Sequence, residues 1–447
     1  MDEISNKKIH VLALPSPLQG HINPMVHFSK CLVSRRVNVT IFTLDFVCMS
    51  MLSDCNGSLI NIESIPHDES PPNGNIDDLL EWYQVQITNN FRAIVEKFSD
   101  VKVLIFDSLA SWIIDLAHQL GLKVAAFSPI PCAPSAIYYH MHPETSKIPL
   151  DGSTLSLPSL PLLEKEDLPS FVYQHRDLHP TIARLFFGLT INLKKADWLL
   201  FNTFDVLENE VINWLRTQYS IKTIGPTFLT MYLDKQLKDV KENGLSPSGE
   251  TCIKWLDLRE IGSVIYVSFG SLASLGEKQM KELASGLLMT NCYFLWIVRT
   301  SEVHKLPKEF MSKLSKKGLI VNWCAQLDVL AHKSVGCFFT HCGWNSTLES
   351  LSLGVPMVGM PQWADEPTNV KFIMDIWQTG IRVKAGKDGI ITREVIASSI
   401  KEIMEGGKGV MLKENAIKWK QLAKEAINEG GSSNKNIEEF IQSLYTK

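Results

Sequence analysis

Short β-branched runs alternate with helical runs along almost the whole chain, and that alternation admits few folds. Ile9–Leu14, Val37–Thr43, Val101–Phe106 and Val124–Phe127 read as buried strands, with a helix expected over Leu109–Leu120. Asn23-Pro24 reads as a helix start, a capping residue followed by proline at the first helical position. Met231–Glu250 is polar, rich in Lys, Gly, Ser and Pro, and reads as a linker. Beyond it Val264–Ser268, Tyr293–Val298, Leu319–Val321, Val335–Thr340 and Val355–Gly359 restart the pattern. Such alternation means βαβ units and parallel sheets with helices on both faces. The expected fold is therefore α/β, with two doubly wound, Rossmann-like halves at 1–240 and 241–430. The stretch Leu412–Tyr445 is expected to be helical, broken at Gly430–Ser433. Its last part, 431–447, carries Ile437, Phe440, Ile441 and Leu444 at helical spacing and is expected to pack back on the first half.

Composition removes several classes of function. The 447 residues are 45% hydrophobic and 21% charged, so a largely disordered chain is excluded. A net charge of −4, with no long block of like charge, gives no electrostatic reason to expect nucleic acid as partner. The most apolar long stretch, Val101–Phe127, is interrupted by Asp107, Asp115, His118 and Lys123, so membrane insertion is not expected. The polar Met1–Lys8 followed by a short apolar run does not read as a signal peptide. Nine scattered cysteines without a C-x-x-C pair fit neither a disulfide framework nor a zinc ribbon. A cytoplasmic protein with reduced thiols is expected.

Ligands of open α/β sheets bind outside the carboxyl ends of the strands, so the residues there are the candidates. His21 follows the first strand, on what reads as a loop before the Asn23 cap, and Asp107 ends the Val101–Phe106 strand. The two could form a base and its orienting carboxylate, or be a solvated loop residue and a helix cap. In the second half, Val335–Thr340 runs into His341-Cys342-Gly343-Trp344-Asn345-Ser346 and a helix through Glu349 to Leu353. Glycine permits close backbone approach, and a helix N-terminus offers free N–H groups and a positive dipole end. This is a plausible diphosphate cradle, with a capped helix after a glycine turn as the alternative reading. Val264–Ser268 likewise ends in Phe269-Gly270-Ser271. No G-x-G-x-x-G follows a strand and no P-loop is present, which argues against NAD and ATP.

The 44-residue segment Trp323–Glu366, WCAQLDVLAHKSVGCFFTHCGWNSTLESLSLGVPMVGMPQWADE, resembles the signature box of plant family-one UDP-dependent glycosyltransferases. Further resemblance lies in P-x-x-x-x-G-H-I-N-P-M from Pro15, FDS at Phe106–Ser108, WLD at Trp255–Asp257 and the closing GGSSNKNIEEF. These outer motifs look like the subgroup acting on phenolic and carboxylic acids, steroids and triterpenoids. The resemblance implies a GT-B architecture, two Rossmann-like domains facing a cleft. It implies that Trp323 stacks on uracil, that Ala325 and Gln326 read the base edge, and that Glu349 takes the ribose hydroxyls. Gly20, Ser271, His341, Gly343, Trp344, Asn345 and Ser346 would serve the diphosphate side of the donor site, and Trp363, Asp365 and Glu366 the sugar. His21 would be general base and Asp107 its partner in an inverting, metal-independent transfer from UDP-glucose. No cofactor is expected, the partners are UDP-glucose and a small apolar acceptor, and a monomer is expected.

Two departures qualify that picture. The box normally ends in Gln, whereas here it ends in Glu366; an ionised carboxylate only accepts hydrogen bonds and would repel a uronic acid. Glucose is the expected sugar, with xylose or galactose the alternative. Relatives often carry a threonine in the Ser128–Cys132 loop, where this chain has Pro129 and Ser128 could take its place. The acceptor side is expected around Leu79–Phe91, Ile130–Tyr139 and Leu185–Ile191, where Trp82, Tyr83, Tyr138, Phe186 and Phe187 would line an apolar pocket or simply build core. A UDP-sugar epimerase and a non-catalytic UDP-sugar binder are the readings from other classes.

Overall fold

The structure, a computed structural model, describes residues 9–55, 59–67, 70–72, 75–142, 154–229, 247–313 and 317–445. It divides into two units, one comprising Met1–Val240 with Glu425–Lys447 and the other Lys241–Lys424. The boundary thus falls at 424, six residues before the one expected. Most of the expected linker lies outside the described residues, and its end, Pro247–Glu250, already belongs to the helix Pro247–Asp257.

The first unit is built on β1 (His10–Leu14), β2 (Asn38–Leu44), β3 (Asn61–Ile65), β4 (Val103–Asp107) and β5 (Lys123–Ser128). A small antiparallel hairpin, β6 (Thr154–Leu155) and β7 (Leu163–Glu164), stands apart from the main sheet. Then β8 (Trp198–Phe201) and β9 (Ile221–Thr223) complete seven parallel strands in the order β3-β2-β1-β4-β5-β8-β9. Central strands such as Val-Leu-Ile-Phe-Asp of β4 are buried throughout, as a sheet covered on both faces requires. The helix Ser432–Tyr445 belongs to this unit. Its Phe440 lies 5.6 Å from Trp198 and 6.3 Å from Phe28, and Ser433 donates to the Gly225 carbonyl at 2.6 Å.

The second unit carries β10 (Val264–Ser268), β11 (Tyr293–Ile297), β12 (Gly318–Val321), β13 (Val335–Thr340), β14 (Met357–Gly359) and β15 (Gly380–Arg382). All are parallel, in the order β12-β11-β10-β13-β14-β15. The strands read from sequence are present, β10 and β13 with the expected ends and the others with ends shifted by at most two residues, while β3, β8, β9, β15 and the hairpin were not anticipated. Two Rossmann-like sheets are what the expected GT-B architecture requires. Each sheet reverses its strand order once, between β1 and β4 and between β10 and β13. Those reversal points are where doubly wound sheets hold ligands.

The start of the first helix differs from expectation. It runs from Gln19 to Ser34 with Pro24 inside it, because the Leu18 carbonyl already accepts the N–H groups of His21 and Ile22. Pro24, with no N–H to give the Gly20 carbonyl, is accommodated in the second turn instead of opening the helix. His21 is therefore a first-turn helical residue, not a loop residue. Similarly, the segment after β4 begins as a 3₁₀ turn, Ser108–Ile113, before the α-helix Ile114–Gln119.

Candidate active site

In the first unit the residues after β1 meet the end of β4. The register pairs Leu14 with Phe106, which brings the two strand ends level. Asp107 is fully buried and each of its carboxylate oxygens is in use. Oδ2 faces His21 Nδ1 at 2.8 Å, while Oδ1 accepts from Ser16 Oγ at 3.0 Å and from the Leu109 N–H at 2.9 Å. A carboxylate beside Nδ1 places the imidazole proton on that nitrogen and leaves Nε2 as the basic one. The Tyr83 hydroxyl, donating to the Pro15 carbonyl at 2.6 Å, braces the turn that carries Ser16. Neither Ser16 nor Tyr83 was foreseen in this role, and no local pattern marks them.

In the second unit the corresponding ends are those of β10 and β13, level at Ser268 and Thr340. The His341 imidazole lies between two glycines: a Cβ on Gly270 would sit 2.7 Å from its Nε2 and one on Gly343 2.6 Å from it. Gly270 also has φ +69°, so the turn after β10 needs glycine on both counts. Burial lowers the His341 pKa to about 4, opposed by a bond to the Ser268 main chain and assisted by the Arg299 charge, so the ring is neutral at pH 7. Gly343 caps the helix Trp344–Leu353 with main chain alone. The N–H groups of that first turn are the ones a helix end offers to an anion.

One turn further along this helix stands Glu349. Gln326 Nε2 donates to Glu349 Oε2 at 2.7 Å and to Ser346 Oγ at 3.0 Å, and Gln326 Oε1 accepts from the Tyr266 hydroxyl at 3.0 Å. Burial pushes the Glu349 carboxyl up to about 7, with the Gln326 amide pulling the other way. Trp323 is 53% exposed, an unusual state for an indole that could otherwise be packed away.

Comparison with known proteins accords with this arrangement. Residues 202–427 match the family model for UDP-glucoronosyl and UDP-glucosyl transferase. The chain is 48% identical to UDP glycosyltransferase 9 of Catharanthus roseus over 98% of this chain and 97% of that one. It is 43% identical to a mogroside I-E synthase of Siraitia grosvenorii over 97% and 98%. The chain belongs to the plant family-one UDP-glycosyltransferases. Among solved structures, Os79 of O. sativa in complex with UDP superposes with TM-score 0.85 at 33% identity, over 97% of this chain and all of that one. Another crystal of Os79 holds a trichothecene.

Within this family member the signature box folds as one strand–turn–helix unit with its flanks, and several of its side chains are engaged inside the protein. The Trp344 ring is buried against Trp377 at 6.1 Å, so toward the helix end it presents main chain and not indole. Gln326 spends its side-chain amide inside the protein, which leaves its main chain for a base edge. Ala325 caps the short helix Gln326–Ala331. Ser346 is buried, Asn345 half-buried, and Ser271 and Gly20 exposed. Asp365 Oδ2 accepts from Asn369 Nδ2 at 2.7 Å, which fixes the turn that carries Trp363.

Glu366 is buried, with Oε2 accepting the N–H groups of Gln362 at 2.6 Å and Trp363 at 3.0 Å, and Oε1 3.9 Å from His341 Nε2. Burial pushes its carboxyl well above the usual range. Protonated, Glu366 would carry an O–H donor as the glutamine it replaces carries an N–H, whereas the ionised form read from the sequence only accepts.

On the other unit Ser128 is buried and donates to the Ile130 carbonyl at 3.3 Å, so its hydroxyl is engaged in its own loop. Most of the aromatic residues expected to line an acceptor pocket are core: Tyr83, Tyr138, Phe186 and Phe187 are buried, and Tyr138 stacks on Phe186 at 5.2 Å. Trp82 is only half-buried and packs with Phe46 at 5.9 Å and His67 at 5.1 Å. Among the described residues, no helix is long and apolar enough to cross a membrane.

Proposed function

We propose that the protein transfers glucose from UDP-glucose, with inversion, to a hydroxyl or carboxyl of a small apolar plant metabolite, a steroid, triterpenoid or phenolic aglycone. The observation that carries the reading is the buried His21–Asp107 pair at 2.8 Å, with its imidazole tautomer set by the carboxylate. The acceptor oxygen attacks the anomeric carbon as its proton passes to His21 Nε2. The bond from that carbon to the β-phosphate oxygen breaks, and UDP leaves with the electron pair. Asp107 holds the ring and stabilises the imidazolium as it forms. Trp323 offers a stacking face for uracil, Glu349 accepts the ribose hydroxyls, and the Gly343–Ser346 helix end with the Ser271 turn meets the diphosphate. The mogroside synthase among the relatives and the trichothecene bound to Os79 support a small organic acceptor.

Xylose or galactose as the transferred sugar is the second reading, favoured by Glu366 standing where the box has glutamine. Mass spectrometry of products from UDP-glucose and a panel of phenolic, steroid and triterpenoid aglycones tests the first. One-hexose adducts that vanish in His21→Ala are expected. Interconversion of UDP-sugars without an acceptor would point to an epimerase instead. Adducts only from UDP-xylose or UDP-galactose would transfer the case to the second reading, and UDP binding without any transfer would leave a binder.

A further inference from the structure

The turn after β10 is held from beneath by a residue outside the signature box. Arg299, two residues past β11, donates through Nη1 to the Ser271 carbonyl and through Nη2 to the Ala273 carbonyl. It is steadied in turn by Glu302, whose Oε1 lies 3.9 Å from Nη2. Glu302 also accepts from Ser274 Oγ at 3.1 Å and from Lys305 Nζ at 2.8 Å, so both ends of the turn are tied to one charged cluster. A guanidinium fork is the side chain suited to gripping two carbonyls at once. Because a trans peptide sets C=O and N–H on opposite sides, holding both carbonyls toward Arg299 turns the Leu272 and Ser274 N–H groups to the other side of the turn. The same guanidinium acts electrostatically on His341, which is neutral and packs against Gly270. Arg299 and Lys305, which donates to Ser274 Oγ at 2.7 Å, both bring formal positive charge to this corner beside Glu302, and of the two it is Arg299 that grips the main chain of the turn.

We propose that Arg299 is a positioning residue for the donor diphosphate: it clamps the Ser271 turn in the shape that meets the phosphates and sets a permanent positive charge under it. The proposal rests on the donor-site reading above and adds a residue to it.

Binding of UDP and of uridine to the purified protein, measured by calorimetry, separates this role from general support of the fold. Arg299→Ala is expected to weaken UDP by about tenfold or more while uridine, which lacks the phosphates, changes by less than about twofold. Arg299→Lys keeps the charge without the fork and guards against a misfolded alanine variant; a loss of severalfold for UDP, again sparing uridine, is expected. Raising salt should narrow the gap between wild type and Arg299→Ala for UDP. Unchanged UDP affinity in both variants, or an equal loss of uridine and UDP, overturns the proposal. Wild-type protein that binds neither ligand overturns the donor-site reading, and the proposal with it.

Discussion

Each unit keeps a carboxylate at its sheet's reversal point, Asp107 fully buried and Glu349 half-buried, and the two are supplied with hydrogen bonds very differently. Asp107 accepts from His21, Ser16 and Leu109. Glu349, among the described residues, accepts from Gln326, and burial lifts it to about 7. A carboxylate whose oxygens are filled by the protein is built to hold something still. One that is half-buried and short of donors gains as an anion when a ligand brings donors of its own. The difference is the one expected if, as proposed, Asp107 positions the base and Glu349 recognises the donor, and both roles can be broken by experiment.

The largest effect is expected at the group that Asp107 holds. His21→Ala should lower turnover by about 10²–10⁴-fold with UDP affinity kept within about twofold, as for removal of a general base. Steady-state kinetics beside UDP calorimetry would reveal a purely structural histidine as parallel losses in both. Asp107→Asn comes next, with turnover down by about 10²-fold or more. Asparagine has one acceptor where three donors converge. With its oxygen turned to Ser16 and the fixed Leu109 N–H, its NH₂ faces His21 Nδ1 and drives the imidazole proton onto Nε2, the nitrogen the reaction needs bare. Full activity in this variant would remove Asp107 from the mechanism.

Glu349→Ala should weaken UDP and uridine alike by about 10–100-fold, the worth of one or two charge-assisted hydrogen bonds. Acceptor KM is the control, because a loss confined to the acceptor contradicts a ribose role. Here the contrast with Asp107→Asn is sharpest, since one substitution should strike binding and the other chemistry.

The two regions also differed in how far they could be read from sequence. The proposed cradle of the second unit is contiguous: strand, glycine turn, helix start and Glu349 all fall between Val335 and Leu353, so local pattern sufficed for its secondary structure. The dyad of the first unit joins residues 86 positions apart; position at strand ends made it a candidate, the resemblance gave it roles, and the fold brings the two side chains to 2.8 Å. Ser16, Tyr266 and Arg299 act through contacts that the fold alone creates, and no spacing announces them. β9 and β15, at three residues each, are too short for a period to show. The misreading of Asn23-Pro24 has a related cause. A cap followed by proline is a sound local signal, but the chain was already helical from Gln19. For Trp344 and Gln326 the resemblance gave a donor-site role without saying which atoms serve it, and the packing on Trp377 and the Tyr266–Glu349 network that take up their side chains exist only in the fold.

The finest test of the contrast is the pH dependence of nucleoside binding. Glu349 must be ionised to accept two ribose hydroxyls, and burial has raised it to about 7, so the neutral acid prevails below that pH. Lowering the pH through 7 should therefore weaken uridine, by at most about tenfold for each unit below the pKa, and binding in that range should release a proton. Uridine is the better probe than UDP, whose terminal phosphate itself titrates near pH 6. His341, held at about 4, stays neutral across the range and adds no slope. Glu349→Gln, with no proton to lose, should bind uridine with a flat profile. A flat profile in the wild type would mean that the carboxylate is already satisfied without the ligand, and Glu349 would then stand with Asp107 as a residue that holds the protein and not the donor.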